Sequence, residues 1–216
     1  MRERSLKVFF LVSGLISIPA MVAVWRMDRL ALHMAVNRVH APFMDECFPF
    51  VTELANGWVP AVLALLLLWK SWRSFLMMGL STGLSAIAVQ SLKHLVFSDV
   101  ERPSMFLDRM AGLHLVAGVE MHHYFSFPSG HSTAAFSMCA ALAVIGGKPV
   151  PAALLAVLAA VLAFSRVYLS QHFTEDVLAG ALLGTVVATG VYMLLYRTAW
   201  GSRPALDRAP FRNPFN

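Results

Sequence analysis

Charge is scarce in this chain. Asp, Glu, Lys and Arg together make up 13% of its 216 residues, while hydrophobic residues make up 58%. That supply cannot coat a water-exposed surface, which excludes an ordinary soluble domain and, still more firmly, a disordered one. Cysteine is nearly missing, with only Cys47 and Cys139. The first falls in a loop and the second inside an apolar stretch, so no bridge is expected, and neither belongs to a metal or redox motif. Also absent are internal repeats, a linker dividing the chain, and any basic run interleaved with aromatics that would suggest a nucleic-acid partner. A single membrane-embedded domain is expected over residues 1–196, followed by a cytoplasmic tail over 197–216 with no core of its own.

Long apolar runs are what the sequence does have. Stretches of roughly 18–22 residues cross a hydrocarbon core of about 30 Å as helices. Six are expected, at about 8–25, 59–69, 75–97, 132–145, 150–168 and 177–196, the second reaching back through 48–58 to gain length. The fold class expected is therefore all-α, a polytopic membrane helical bundle with six transmembrane helices. Ten of the 17 Lys and Arg residues fall on the side of the termini, namely Arg2, Arg4, Lys7, Lys70, Arg73, Lys148, Arg197, Arg203, Arg208 and Arg212. By the positive-inside rule both termini are cytoplasmic. The net charge of +5 then reads as orientation and attraction to anionic lipid. The basic start followed by an apolar run resembles a secretory leader, but the run is long enough to be an uncleaved anchor.

Residues 27–57 mix polar and apolar side chains in the manner of an interfacial helix between spans one and two. His33, Asn37 and His40 share one face there, suited to a headgroup or to an interfacial partner. The longest hydrophilic stretch, 98–127, faces outward with it.

Ionisable groups in or beside membrane spans are costly and ask for a function. Three blocks carry them: Lys93 with Arg102-Pro103, then Pro128-Ser129-Gly130-His131, then Ser165-Arg166 through His172 to Asp176. The expected topology brings all three to the outer side. Pro128-Ser129 signals a helix start, whose free N–H groups and positive dipole end attract an anion, and Gly130 lets the backbone approach it. An ordinary capped span accounts for Ser129-Gly130 taken alone. His172 and Asp176, four apart, share a face on a helix, where the carboxylate accepts the Nδ1–H and leaves Nε2 as the lone-pair nitrogen. A solvated interfacial pair is the plainer account. Lys93, Arg102 and Arg166 crowded together imply a phosphate among them, although any one alone could snorkel to headgroups. His122 and His123 read as loop histidines.

Together these residues resemble the type-2 phosphatidate phosphatase superfamily, related to acid phosphatases and vanadium haloperoxidases, whose motifs read K-x6-R-P, P-S-G-H and S-R-x5-H-x3-D. The second and third match without a gap. The first departs, with eight residues between Lys93 and Arg102-Pro103. The resemblance implies His172 as a nucleophile forming a phosphohistidine, Asp176 as its orienting partner and His131 as the acid on the leaving oxygen. It implies Lys93, Arg102, Ser129, Gly130 and Arg166 as phosphate ligands, with no metal and no cofactor. The same division of labour follows from two-step displacement, which needs one neutral histidine to attack and one protonated histidine to donate.

The expected activity is that of a metal-independent hydrolase, an integral-membrane lipid-phosphate phosphohydrolase. It would act at the outer face of the cytoplasmic (inner) membrane on an isoprenoid (undecaprenyl) diphosphate, phosphatidylglycerol phosphate, phosphatidate or lipid A. The expected partner is that membrane lipid, not nucleic acid. A phosphotransferase using the same intermediate, a non-catalytic phosphate-solute transporter and a serine hydrolase built on Ser129 are the alternatives. The last has no strand-turn-helix elbow to expose its serine.

Overall fold

The computed structural model describes residues 1–211 and contains helices, turns and loops, with no strand among those residues. Eight α-helices follow in chain order: α1 Arg2–Arg26, α2 Arg29–Asn37, α3 Pro42–Glu53, α4 Trp58–Leu66, α5 Trp72–Leu95, α6 Gly130–Gly146, α7 Pro149–Tyr168 and α8 Thr174–Arg197. Four of them, α1, α5, α7 and α8, are long and apolar enough to cross a membrane. A fifth candidate is the pair formed by α3 and the stretch Trp58–Trp69, which is bent by 55°. The second expected span thus exists as two pieces. The break falls at Asn56-Gly57, where Asn56 donates to the Glu53 carboxylate at 3.0 Å and accepts from the Gly57 N–H at 2.8 Å. These local side-chain bonds compete with continuation of the helix.

The fourth expected span, α6, has 17 residues, of which 12 are buried. A helix apolar and buried all round sits inside a bundle. α1 is its opposite, with only 11% of its most apolar window buried. Small residues let the helices close on α6 and α7. Ala152, Ala156, Ala159 and Ala163 form a buried stripe along α7. On α8, a Cβ at Gly180 would lie 2.4 Å from the Ser129 carbonyl oxygen, and one at Gly184 would lie 2.3 Å from that of Thr133. No side chain larger than hydrogen fits either place. The Gly-x3-Gly spacing therefore lets the backbones of α6 and α8 touch, and a 2.9 Å bond from the Ser129 N–H to the Asp176 carbonyl joins their first turns.

Two segments stand between α1 and α4 in place of one interfacial helix. In α2, His33 is buried, with Nε2 3.1 Å from the Ser170 hydroxyl, and Asn37 exchanges two 2.8 Å bonds with the backbone of His114. His40 stacks on the His114 ring at 4.0 Å. That polar face meets protein partners, and it fastens α2 to the 96–129 connection. Both cysteines are free. Beyond α8 the chain returns to α5: Asp207 pairs with Arg73 at 2.7 Å and Phe211 packs on Trp69. The expected Arg212 and the last four residues lie outside the described residues.

Candidate active site

The ends of α5 and α7 and the starts of α6 and α8 lie at one end of the bundle, and all three sequence blocks meet there. Lys93, in the last turn of α5, donates from Nζ to the Phe125 carbonyl at 2.8 Å. Arg102 donates to the same carbonyl at 3.3 Å, to the Tyr124 carbonyl at 2.8 Å and to the Gln171 carbonyl at 3.0 Å. The eight-residue spacing is thus taken up in the turn after α5, and both cations converge on one oxygen. Phe125 presents that oxygen from the left-handed backbone region, φ 56°, a conformation a bulky residue holds only when its surroundings enforce it.

Arg166, in the last turn of α7, donates from Nη1 to the Thr52 hydroxyl of α3 at 3.0 Å and from Nη2 to the Gln171 side-chain carbonyl at 3.5 Å. Its Nε is buried with no partner. Lys93, Arg102 and Arg166 are each 7–8% exposed, and among the described residues none has a carboxylate within ion-pair distance. Burial pushes down the proton affinity of Arg102, as desolvation does for any cation.

His172 lies just outside α8, not on it. α7 ends in a tight turn with Ser170 at φ 52°, in which the Arg166 carbonyl accepts from the N–H groups of Gln171 and His172 at 2.9 and 3.2 Å. Phe173 then caps α8, its N–H donating to Asp176 Oδ2 at 2.9 Å. The expected pairing survives on this different backbone, with Nδ1 3.5 Å from Oδ2. On the other side of the ring, Nε2 is 3.4 Å from Arg102 Nη1. Guanidinium has no acceptor, so Nε2 carries the lone pair and Nδ1 the hydrogen. Burial, followed by the charges of Arg102, Lys93 and Arg166, holds His172 well below the usual imidazole range, leaving it neutral at pH 7.

Ser129 caps α6, accepting from the Ser132 N–H at 3.4 Å. A Cβ at Gly130 would meet nothing within 4 Å, so the first turn is open to a close approach. His131 follows, within electrostatic reach of Arg166, His172, Lys93 and Arg102. It borders a cavity of about 560 Å³ between α4, α5 and α6, whose walls include Ala61, Ala64, Gly79, Gly83 and Ala86. His122 and His123 stay in the loop, where Ser104 donates to the His122 carbonyl at 2.6 Å. No group of three or more His, Cys, Asp or Glu placed to hold a metal occurs among the described residues.

Thr52, Gln171, Ser126 and the Phe125 carbonyl are not among the residues expected at the site. Ser126 donates to Asp176 Oδ2 at 2.5 Å, and its one signal was a position three residues before Ser129 in a motif-bearing loop. The other three act through contacts between segments far apart in the chain.

The family model of the PAP2 superfamily matches residues 74–200. Among solved structures, LpxE of Aquifex aeolicus is 27% identical, with a TM-score of 0.67, over 78% of this chain and 97% of that one. The first transmembrane PAP2-type phosphatidylglycerolphosphate phosphatase from Bacillus subtilis is 23% identical, with a TM-score of 0.62, over 88% of this chain and 95% of that one. The second likeness is one of fold. No curated protein matches the chain.

Proposed function

The chain belongs to the PAP2 superfamily, and from that premise we propose that it is a lipid-phosphate phosphohydrolase of the cytoplasmic membrane working through a phosphohistidine. The observation that carries this reading is the buried trio Lys93, Arg102 and Arg166, gathered around a neutral His172 with no carboxylate of their own. Buried cations without counter-charge are strongly unfavourable, and a phosphate supplies both the charge and the acceptor oxygens they lack.

In the proposed reaction the lone pair of His172 Nε2 attacks phosphorus while the bond from phosphorus to the lipid oxygen breaks. His131, charged by a proton from solvent once the bound phosphate offsets the cations around it, gives that proton to the lipid oxygen. The resulting phosphoimidazolium keeps its Nδ1–H toward Asp176, whose negative charge stabilises it. Water then attacks phosphorus, His131 takes a proton from the water, and the P–N bond breaks with its electron pair returning to His172. Inorganic phosphate leaves. Lys93, Arg102, Arg166, Ser129 and Gly130 bind the phosphoryl oxygens throughout, the cations offsetting charge spread over the equatorial positions.

The small-residue cavity beside His131 supports a lipid, since its walls suit a hydrocarbon chain while the phosphate lies at the bundle end. The six-span layout with cytoplasmic termini, residues 1–196 as one domain and a site facing outward, belongs to the same proposal. It counts α6 and the bent pair as spans and rests on the Lys and Arg asymmetry. To test it, purified protein is given undecaprenyl phosphates and diphosphates, phosphatidylglycerol phosphate, phosphatidate and lipid A, each with and without chelator. Phosphate release from at least one, unaffected by chelator and abolished in His172→Ala, is expected. Activity persisting in His172→Ala overturns the mechanism, and label passing to a second lipid in place of water makes the protein a phosphotransferase.

A further inference from the structure

Ser126 takes part in none of the steps above, yet it is the most tightly engaged hydroxyl at the site. It is fully buried in the segment before α6, and its N–H is anchored to the Val100 carbonyl at 2.9 Å. Its Oγ lies 2.5 Å from Asp176 Oδ2 and 3.5 Å from His172 Nδ1. Three segments meet at this oxygen: the long loop, the α7–α8 turn and α8.

The distribution of bonds on the carboxylate is one-sided. Oδ2 accepts from Ser126 and from the Phe173 N–H and faces Nδ1, while Oδ1 is buried with no partner. A carboxylate on a short side chain can turn about its last torsion. With only the Phe173 N–H to hold it, Oδ1 and Oδ2 could exchange or the group could rotate away from the ring. The hydroxyl adds a second fixed donor from a different segment. A serine oxygen has one hydrogen and two lone pairs, and that hydrogen is committed to Asp176. The lone pairs therefore face Nδ1–H, giving the imidazole an acceptor at 3.5 Å, the distance at which Asp176 Oδ2 also faces it.

We propose that Ser126 is a positioning residue for His172, holding the Asp176 carboxylate against Nδ1 and sharing the Nδ1 hydrogen. The claim rests on His172 being the nucleophile. Its hydroxyl is engaged with Asp176 and His172, so in the proposed reaction it acts through that pair. Its contribution should be largest when the ring becomes positively charged, which is during transfer and not during substrate binding. The loss on removing it should accordingly fall on kcat and not on KM.

The experiment is a double-mutant cycle on phosphate release, using the substrate identified in the panel above: wild type, Ser126→Ala, Asp176→Asn, the double variant, and His172→Ala as control. Expected is a drop in kcat of about 10- to 100-fold in Ser126→Ala with KM within about twofold, the range for a hydrogen bond to a charged group. In the Asp176→Asn background the same change should cost less than about twofold, because groups acting as a unit are not additive. Ser126→Cys, nearly isosteric with a weak donor, should fall between wild type and Ser126→Ala, and serves if the alanine variant does not fold. An inactive His172→Ala together with wild-type kcat in Ser126→Ala, or in Ser126→Cys where that stands in, overturns the role of Ser126 alone. Equal losses from Ser126→Ala in both backgrounds do so too, since they mean it acts on the fold. An active His172→Ala overturns the nucleophile assignment and this inference with it.

Discussion

Arg73 at one end of the bundle and Arg166 at the other are equally buried, 7% exposed each, but they are surrounded differently. Arg73 meets Asp207 through two parallel bonds of 2.7 and 2.8 Å and also donates to the Leu195 and Gly201 carbonyls. It is a completed clamp joining α5, the end of α8 and the returning tail. Arg166 has a threonine hydroxyl, a distant glutamine carbonyl and an idle Nε, and its cationic neighbours Lys93 and Arg102 make do with backbone carbonyls. One end has satisfied its charge within the chain, and the other has left it open. Stability would be better served by the first arrangement at both ends. In the proposed function the second is where the phosphate sits.

Removing each arginine in turn separates the two roles most widely. Arg166→Ala should lower kcat/KM for phosphate release by about 100- to 1,000-fold, the usual loss on deleting one group that stabilises transition-state charge. Its melting temperature should stay level or rise, because a buried cation with no ion-pair partner among the described residues has been taken out. Arg73→Ala should cost about 1–3 kcal/mol of stability, leaving carbonyls unsatisfied, while folded protein keeps its kcat/KM. Melting curves read beside steady-state rates check both. If Arg73→Ala loses turnover and Arg166→Ala loses only stability, the comparison has been drawn backwards.

Two glycines sharpen the same contrast with smaller effects. A Cβ at Gly180 would strike the Ser129 carbonyl and one at Gly201 the Leu195 carbonyl, each at 2.4 Å. Alanine at either should destabilise by about 1–3 kcal/mol, as overpacking does. Only Gly180→Ala displaces the first turn of α6, so only it should also slow turnover, by about tenfold for a shift of a fraction of an ångström. Rates corrected for the folded fraction decide the matter, and an equal slowing in Gly201→Ala would erase the distinction between the ends.

How much of this was legible in the sequence depended on how locally each feature is encoded. Ser129, Gly130 and His131 are consecutive, and Arg166, His172 and Asp176 flank and occupy the short turn between α7 and α8, so spacing places the members of each set together. The backbone linking His172 to Asp176 is not helical throughout, the conformation the spacing implies, but passes through the extended cap residue Phe173 before α8 begins. Both geometries bring a side chain back over the residue four ahead, which is why the contact was foreseen for a different reason. The break between α3 and α4 falls at Asn56-Gly57, a turn-forming dipeptide set in an apolar surrounding. α6 was recognisable as apolar, but its central position was not, since periodicity vanishes in a helix buried on every side. Thr52 and the Phe125 carbonyl were beyond reach because tertiary packing brings them to the site, while Gln171 lies inside the third block with nothing in its type to mark it.

The central claim, that the Lys93, Arg102 and Arg166 end is built around an absent phosphate, is tested most directly by titrating inorganic phosphate against thermal unfolding of the wild type, Arg73→Ala and Arg166→Ala. Binding to the folded state alone raises the melting temperature with ligand concentration. Wild type and Arg73→Ala should gain the same increment and Arg166→Ala little or none. An increment undiminished in Arg166→Ala, or lost in Arg73→Ala, would contradict the account.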